Sequence, residues 1–371
     1  MTRVVLIGML DSVHFAGWLK HFAGLGVTFY LFPSSPHRRL HPDVKELADD
    51  FPKNFVLPRH HIFLGLPAWF IDRFLRDHFR SFLLSRLLRR IQPKFAHALE
   101  IQHAGYLLAK AKKRLESVSF STVLTNYGSD IYWFRQFPSH RRNLIELLAH
   151  TDYYLAECSR DVDLARELGY SGAVSPVFPN SGGFDKDDLP KLAAEARGTI
   201  AIKGYHGWVG RAKTALDSLE LVRKEINEFR IVVYSANLVT QLKAFSVKKR
   251  TGLDIQVFKK GNLSRLQMRE LFMQSAAYVG VSLSDGISTS MLEAMAFGAI
   301  PVQTATSCCN EWFESSGVAL KEISAQAVAT GILDAIALSQ DPKHRLANQK
   351  TVLDKAAQRD VAENALATYS L

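Results

Sequence analysis

The segment Val279–Val302, VGVSLSDGISTSMLEAMAFGAIPV, decides the fold of this chain because it contains a complete strand–helix–strand unit. An apolar strand end leads into a polar turn at Ser282–Ser288, and a short helix follows from about Ser290 to Phe297. Gly298 then stops the helix, and a second strand enters at Ile300. This order predicts two parallel strands joined by a helix.

Two acidic residues flank the start of this helix. Asp285 precedes the helix, and Glu293 follows eight positions later within its first turns. Small residues between them leave backbone N–H groups accessible at the helix N-terminus, an arrangement that favours phosphate binding. A carboxylate about one turn further in can accept both hydroxyls of a ribose. The segment therefore has the parts needed to hold a sugar nucleotide.

The D-x7-E spacing resembles the E-x7-E signature of retaining glycosyltransferases of family 4, with Asp285 in place of the first Glu. The run LEAMAFGAIPV and the later Asn310-Glu311-Trp312 are similar to other parts of that family's sequence. A capped helix in an ordinary strand–helix–strand unit would explain the small residues but not the acidic spacing. The resemblance implies the α/β fold called GT-B. It has two Rossmann-like, doubly wound parallel-sheet domains facing a cleft, and a C-terminal helix crossing back to the first domain.

The resemblance also implies donor-binding roles within this segment. Glu293 would bind the ribose hydroxyls, and Asp285 would lie near the transferred sugar. Backbone groups would contact the sugar hydroxyls and the phosphates. These groups belong to Gly286, Ile287, Ser288, Ser290 and Met291.

A second group of candidates follows the predicted strand Thr199–Lys203. Lys203 and Arg211 flank a glycine-rich loop, and Arg211 opens the next helix. Two cations beside a helix N-terminus can neutralise a diphosphate leaving group. They resemble the family's Arg and Lys pair with the residue types exchanged, although cations at strand and helix ends are also often solvated. By the same resemblance, Tyr234 and Phe258 lie in loops that surround the nucleobase.

The first half of the chain carries the candidates for acceptor binding. Asn126–Asp130, NYGSD, ends a predicted strand and resembles the T-x-H-G-x-D turn of many family members. Tyr127 stands where those members have a His that contacts the donor sugar, and Asp130 either binds the acceptor or caps the next helix. Gly128, Asp11 and His14 are the other acceptor candidates, and His103 is a sugar contact or a structural residue. The predicted catalytic residues are Asp285, Lys203, Arg211, His103 and Tyr127.

The length of 371 residues fits two domains of ordinary size. We predict an N-terminal acceptor domain at 1–182, a linker at 183–197, a donor domain at 198–345 and a C-terminal helix at 346–371 that packs on the first domain. The three cysteines, two of them adjacent, argue against a disulfide framework. Neither a signal peptide nor a membrane-spanning run is evident, so we expect a cytoplasmic protein.

Basic charge is concentrated in the first third of the chain. Residues 1–120 carry 18 Lys and Arg against 9 Asp and Glu, whereas the net charge of the whole chain is +10. Within residues 67–95, seven basic residues alternate with apolar ones, which predicts a basic amphipathic helix broken near Ser81 or Ser85. Such a helix either lies on the inner face of the cytoplasmic membrane or is a crossover helix with a solvated basic face.

The resulting hypothesis is a retaining glycosyltransferase that moves a hexose-type sugar from a nucleoside diphosphate sugar to a hydroxyl of a glycan. UDP is favoured over GDP as the nucleotide. The acceptor would be a glycan, free or linked to polyprenyl diphosphate, in surface polysaccharide synthesis such as that of O-antigen or capsule. No metal or other cofactor is expected, since neither a convincing D-x-D after a strand nor a C-x2-C pair is evident. No nucleic acid partner is expected either. Two alternatives stay open: a UDP-sugar 2-epimerase of the same architecture, and a non-catalytic protein that binds an anionic polymer.

Overall fold

The computed structural model describes residues 1–35, 39–57, 71, 72, 74, 77–115, 118–180, 182–192 and 197–370. The chain divides into two compact units. Unit 1 comprises Met1–Gly183 together with Gln358–Leu371, and unit 2 comprises Phe184–Ala357. The described part of the predicted linker, apart from Gly183, therefore belongs to unit 2.

Unit 1 is built on a parallel sheet of seven strands. They are β1 (Thr2–Gly8), β2 (Val27–Pro33), β3 (Phe55–Val56), β4 (Phe95–Leu99), β5 (Ser121–Asn126), β6 (Tyr153–Ala156) and β7 (Ala173–Val174). Their order in the sheet is β3-β2-β1-β4-β5-β6-β7. After β1, the chain adds β2 and β3 on one side of it, and it then returns to add β4 to β7 on the other side. The direction of winding reverses between β1 and β4.

Helices cover the sheet of unit 1. They are α1 (Val13–Lys20), α2 (Pro42–Asp50), α3 (His78–Ile91), α4 (Tyr106–Lys112), α5 (Ser129–Tyr132), α6 (Pro138–Ala149) and α7 (Ser159–Glu167). A single π-helical turn, Ile101–Gly105, precedes α4. The sheet is almost continuously apolar because both of its faces are covered, as in other parallel sheets.

Helix α3 contains 14 of the 29 residues of the basic segment predicted at 67–95. Residues 67–70, 73, 75 and 76 of that segment lie outside the described residues. The helix is continuous through Ser81 and Ser85, so the predicted break at these residues is wrong. Their hydroxyls donate to the carbonyls of the helix itself, at 2.9 and 2.7 Å, and do not interrupt it. The helix instead begins after Asp77, which has a left-handed φ of 65°.

The apolar face of α3 packs inside unit 1, as a crossover helix does. Its leucines Leu84, Leu87 and Leu88 are buried in the core. Arg80 is buried too, where its guanidinium pairs with Asp72 and Asp77. Three basic residues of the helix, Arg86, Arg89 and Arg90, are exposed.

Unit 2 is built on a parallel sheet of six strands. They are β8 (Thr199–Lys203), β9 (Arg230–Ala236), β10 (Ile255–Lys259), β11 (Ser275–Gly280), β12 (Ile300–Thr304) and β13 (Val318–Leu320). The order β10-β9-β8-β11-β12-β13 places the reversal of winding between β8 and β11. The sequence segment that predicted a strand–helix–strand unit forms β11, a helix and β12.

The helices of unit 2 are α8 (Ala212–Leu221), α9 (Leu238–Thr251), α10 (Arg265–Gln274), α11 (Thr289–Ala296), α12 (Ala325–Ser339) and α13 (Pro342–Ala356). A last helix, α14 (Gln358–Ala367), belongs to unit 1. The C-terminal segment was predicted as one helix but forms two, because Ala357 has an extended ψ of 136°. In the described part of the chain, no helix combines the length and apolar content required to span a bilayer.

The end of the chain completes the core of unit 1. The ring of Tyr369 packs against Trp18, Phe22 and Phe29 at centroid distances of 6.3, 5.4 and 5.4 Å. Its hydroxyl lies 2.5 Å from Nδ1 of His97 and accepts a hydrogen bond of 3.2 Å from Nε1 of Trp18. Burial lowers the pKa of His97 to about 3, so this imidazole is neutral at physiological pH.

Replacing Tyr369 with Ala should therefore destabilise unit 1 by about 3–5 kcal/mol, the usual cost of removing a buried aromatic ring. Tyr369→Phe should cost about 1–3 kcal/mol because it leaves buried polar groups of His97 and Trp18 without their partner. Urea unfolding measures both values. The exposed Leu266→Ala is the control and should stay within about 0.5 kcal/mol of the wild type. Equal stability of Tyr369→Ala and the control would contradict the packing role.

Candidate functional site

The candidate site of unit 2 lies at the carboxyl ends of β8 and β11. Ligands of doubly wound sheets bind at this edge, where the winding reverses. Lys203 ends β8 and is followed by the loop at residues 204–211, and β11 is followed by the turn Ser282–Ser288. The two segments pair through a bridge between Gly210 and Ser282 and through a 2.8 Å bond from the N–H of Arg211 to the carbonyl of Val281.

The tight course of this loop requires glycine. A Cβ on Gly210 would lie 2.3 Å from the carbonyl oxygen of Tyr205, and a Cβ on Gly204 would lie 2.7 Å from that of Tyr234. Both contacts are with backbone atoms, which cannot rotate away as a side chain can. The glycines that were noted in the sequence therefore bring the loop close to β9 and to its own earlier turn.

Lys203 is the central cation of the site. Its ammonium donates to Oγ of Ser288 at 3.4 Å, and the same oxygen lies 3.3 Å from the hydroxyl of Tyr278. Burial opposes the charged form of Lys203, but the negative groups of Asp285 and Glu293 and the phenol of Tyr278 outweigh this and raise its pKa. The two carboxylates of the D-x7-E pattern therefore help to keep Lys203 in its charged form.

The N-terminus of α11 is open to a ligand. Ser288 is the N-cap residue, yet its side chain does not cap the helix, because its oxygen is engaged with Lys203 and Tyr278. The N–H groups of Met291 and Leu292 donate to the carbonyl of Ser288, at 2.8 and 3.1 Å. The first residues, Thr289 and Ser290, have no acceptor within the helix. Two N–H groups and the positive end of the helix dipole thus remain beside Lys203.

The two carboxylates have different surroundings. Asp285 accepts a 3.1 Å bond from the N–H of Gly286, which fixes it at the turn. Burial raises the pKa of Glu293, and the charges of Arg265, Lys203 and Arg269 oppose that rise. Glu293 is thus a partly buried acid that faces cations from β8 and α10.

Arg265 was not predicted from the sequence. It is exposed at the first position of α10, behind the N-cap Ser264. A cation is unfavourable at a helix N-terminus because the helix dipole is positive there. This unfavourable cation was the signal that the sequence offered for Arg265. The negative charge of Glu293 compensates for it in the structure. The hydroxyl of Tyr278, which also contacts Ser288, donates to the side chain of Gln303 at 3.4 Å. Tyr278 and Gln303 were not identified from the sequence, because both lie in predominantly apolar strands.

Arg211 takes a different position from Lys203. Its guanidinium donates to the carbonyls of Gly207 and Gly210, at 2.8 and 2.9 Å, within its own loop. The structure therefore brings Lys203 together with the two carboxylates and places Arg211 as a brace of the neighbouring loop.

The two residues predicted near the nucleobase differ in exposure. Tyr234 is buried within β9, and its ring meets the edge of Phe272 at 5.8 Å, so it supports the site from behind. Phe258 is partly exposed near the end of β10. Ser235 has a left-handed φ of 54°, and the register of the two strands shifts between Val257 and Lys259. The sheet edge is irregular at this point.

Unit 1 has its own polar cluster at the corresponding edge. The carboxylate of Glu100, after β4, accepts from the N–H groups of His103 and Ala104 at 3.1 and 2.7 Å. Asp130 accepts from the N–H groups of Ile101 and Tyr127 at 3.2 and 3.3 Å. Asp130 thus ties the turns after β4 and β5 together and does not cap the next helix.

Burial controls the protonation of these two acids. It raises the pKa of Glu100 to about 7, although bonds from backbone N–H groups favour its charged form. Burial and the negative charge of Glu100 raise the pKa of Asp130 to about 7. Glu100 also has a positive φ of 101°, a conformation that is strained for any residue except glycine.

The other predicted acceptor residues lie around this cluster. The ring of Tyr127 contacts that of His14 at a centroid distance of 5.6 Å, and Gly128 has a φ of 81°. The hydroxyl of Tyr127 is buried and has no hydrogen-bond partner among the described residues. Asp11 and His103 are exposed. The structure therefore joins Tyr127, His14 and Asp130 into one group at the sheet edge.

Residues 200–337, which include the whole candidate site of unit 2, match a family model described as "Glycosyl transferases group 1". The match covers part of unit 2 and none of unit 1. No curated protein sequence matches this chain.

Solved structures with the same fold cover the whole chain. One is Anabaena Alr3699/HepE in complex with UDP and glucose, with a TM-score of 0.70, 12% identity and complete coverage of both chains. Another is the lipopolysaccharide outer core galactosyltransferase WaaB, with a TM-score of 0.69, 12% identity and 99% coverage of both. TarM of S. aureus, in complex with UDP, matches 78% of this chain at 13% identity and a TM-score of 0.61, and this chain spans 59% of it. The predicted fold, with two Rossmann-like parallel-sheet domains as in GT-B proteins, is confirmed.

The raised pKa values in unit 1 predict a specific dependence of stability on pH. Glu100 and Asp130 keep their protons up to about pH 7 in the folded state. They therefore contribute their full stabilisation at pH values below their ordinary pKa values of 4.5 and 3.8. That stabilisation is lost as the pH rises from those values to about 7. Glu100→Gln should reduce this loss, measured as the difference in unfolding free energy between pH 5 and pH 7.5. The exposed Glu167→Gln should keep the wild-type loss, and identical losses in both variants would contradict the assignment.

Proposed function

We propose that this protein is a retaining glycosyltransferase that uses a nucleoside diphosphate sugar, with UDP as the nucleotide. The observation that carries the proposal is the cluster at the β8–β11 edge. There the ammonium of Lys203 contacts Ser288 at the N-terminus of α11, and the charges of Asp285 and Glu293 favour its charged form. A nucleoside diphosphate sugar requires a cation and a helix N-terminus for its diphosphate, and it requires acids that accept the hydroxyls of its ribose and of its sugar.

Each group of the cluster would contact a different part of the donor. The N–H groups of Thr289 and Ser290 would bind the diphosphate, since they have no acceptor within the helix. Glu293, one turn further along α11, would accept the ribose hydroxyls. Asp285, with the backbone at Gly286, would contact the transferred sugar.

Lys203 would stabilise the charge that develops on the leaving diphosphate. Its raised pKa keeps it charged, and a partly buried ammonium acts more strongly than one in water. Arg211 would assist only after releasing the carbonyls of Gly207 and Gly210. Retention would follow if the acceptor hydroxyl attacks on the face that the diphosphate leaves and passes its proton to that diphosphate. Lys203 and Arg211 would thus neutralise the charge of the leaving diphosphate without a metal ion.

Unit 1 would bind the acceptor. The edge after β4 and β5 presents the exposed His103, the pair of Tyr127 and His14, and the carboxyl of Asp130. The hydroxyl and carboxyl groups of Tyr127 and Asp130 can form hydrogen bonds with the hydroxyls of an uncharged sugar. We propose a glycan acceptor, free or linked to polyprenyl diphosphate, in surface polysaccharide synthesis at the cytoplasmic face of the membrane. Membrane contact through residues 67–95 stays a prediction.

Glu293→Gln tests the ribose contact. Because an amide accepts the ribose hydroxyls less strongly than a carboxylate, affinity should fall roughly 10–100-fold for both uridine and UDP. Calorimetry measures both dissociation constants, and Glu270→Gln on α10 provides the control. Unimpaired binding of both ligands would remove Glu293 from the site.

Lys203→Ala tests the diphosphate contact. Loss of a charge-assisted bond should weaken UDP binding roughly 10–100-fold while leaving uridine binding unchanged, because only UDP carries phosphates. The exposed Lys213→Ala on α8 should bind both ligands as the wild type does. Equal loss of uridine and UDP affinity in Lys203→Ala would show that this lysine supports the fold of the site rather than the phosphates.

A further inference from the structure

Helix α9 exposes a line of large apolar side chains to solvent. Leu238, Leu242 and Phe245 are 68%, 63% and 70% exposed. Their spacing of four and then three residues places them on one side of the helix. Val239 borders them at 43% exposure. Single exposed apolar residues are ordinary on a protein surface, but a continuous row of this size indicates a binding surface.

The packing of α9 within unit 2 does not require this row. The opposite side of the helix, with Thr240, Ala244 and Val247, is buried. Those small and medium side chains let the helix approach the sheet closely. The helix is therefore apolar on two sides, and only the inner one is covered by the unit itself.

The charges of α9 are all positive. The helix carries Lys243, Lys248, Lys249 and Arg250 and no acidic residue. Asp217 and Glu220 of α8 pair with Lys243 and Arg250. Lys248 and Lys249 are exposed at the end of the helix, and Lys249 extends the apolar row by four residues from Phe245. Asp254, four residues after Arg250, is the nearest exposed acid in sequence.

Two exposed aromatic side chains belong to the loop beside which α9 begins. The side-chain amide of Asn237, the N-cap of α9, donates to the carbonyl of His206, so the helix begins beside the loop at residues 204–211. This loop exposes Tyr205 and Trp208 by 40% and 52%. Tyrosine and tryptophan suit a boundary between apolar and polar surroundings, because each has an apolar ring and a polar atom.

We propose that α9 docks on the surface of a lipid bilayer with anionic headgroups. Leu238, Leu242 and Phe245 enter the boundary of the acyl chains, and Lys249 meets the headgroups, whereas the ammonium of Lys248 donates to the carbonyl of Ile255. Lys243 and Arg250 are paired with α8, whereas the exposed Lys249 continues the apolar row, and its charge favours an anionic lipid surface as the occupant over a second copy of this chain. This surface belongs to unit 2 and is separate from the basic segment at residues 67–95.

The first test is co-sedimentation of the full chain with phosphatidylcholine vesicles, with and without phosphatidylglycerol. The wild type should bind the anionic vesicles. Leu242→Ser combined with Phe245→Ser should reduce the partition coefficient at least about tenfold, because two apolar side chains no longer enter the lipid. Lys249→Gln should reduce it about fivefold. Unchanged melting temperatures and UDP affinities show that the variants are folded.

Two matched controls separate this surface from others. Leu346→Ser combined with Met273→Ser removes exposed apolar side chains from α13 and α10 and should leave vesicle binding unchanged. Arg86→Gln combined with Arg90→Gln removes exposed charge from α3 in unit 1. If this variant alone loses binding while the α9 variant keeps it, the proposal is overturned in favour of residues 67–95.

A fluorescent label reports insertion directly. The three native cysteines are buried, so Phe245→Cys can be labelled selectively with an environment-sensitive dye. Its emission should shift to the blue on anionic vesicles, and the same dye at Leu346→Cys should not shift. Absence of wild-type vesicle binding would overturn the proposal. So would a dimer in sedimentation velocity that the α9 serine variant dissociates while vesicle binding persists.

Discussion

The contact between Lys203 and Ser288 organises the candidate site, because it joins the end of β8 to the start of α11. An N-cap serine ordinarily bonds the first N–H groups of its own helix. Here Oγ of Ser288 faces the ammonium of Lys203 and the phenol of Tyr278 instead. The helix therefore gives up some stability at its first turn, and its N–H groups remain available to an anion. Unsatisfied groups of this kind are expected where a protein keeps a place for a ligand.

Lys203 in turn depends on its acidic neighbours. Removal from water disfavours an ammonium, and Asp285 and Glu293 compensate for that cost. Glu293 is itself balanced by Arg265 and Arg269 of α10. The site is thus a chain of alternating charges that extends from the turn after β11 to the start of α10. Arg269 also pairs with Asp188 at 2.8 Å, so the cations and the carboxylates of this chain balance before a ligand binds.

Local patterns predicted the elements around the site well. The helix expected from about Ser290 to Phe297 is Thr289–Ala296, and Lys203 ends its strand as expected. Predictions that depended on a single residue type were less successful. Ser81 and Ser85 bond within α3 and leave it intact, and nothing in an alanine-rich segment marks Ala357 as the break between α13 and α14.

Side-chain positions were harder to predict than elements, because they depend on contacts between distant segments. The sequence indicated Arg211 as a partner of Lys203, yet the carbonyls of its own loop hold its guanidinium. Arg265, Tyr278 and Gln303 gave no local motif, since their roles arise only when α10, β11 and β12 meet. In unit 1, the positive φ of Glu100 is likewise invisible in the sequence, because backbone strain reflects the surrounding fold.

The position of α14 has a consequence for biosynthesis. Unit 1 combines residues that are translated before unit 2 with residues that are translated after it. N-terminal parts of proteins commonly fold first during synthesis. The core of unit 1 nevertheless includes Val361, Ala365 and Tyr369, which are translated after the whole of unit 2. Unit 2 can therefore complete its core first, whereas unit 1 keeps an unfinished aromatic core until α14 has emerged from the ribosome.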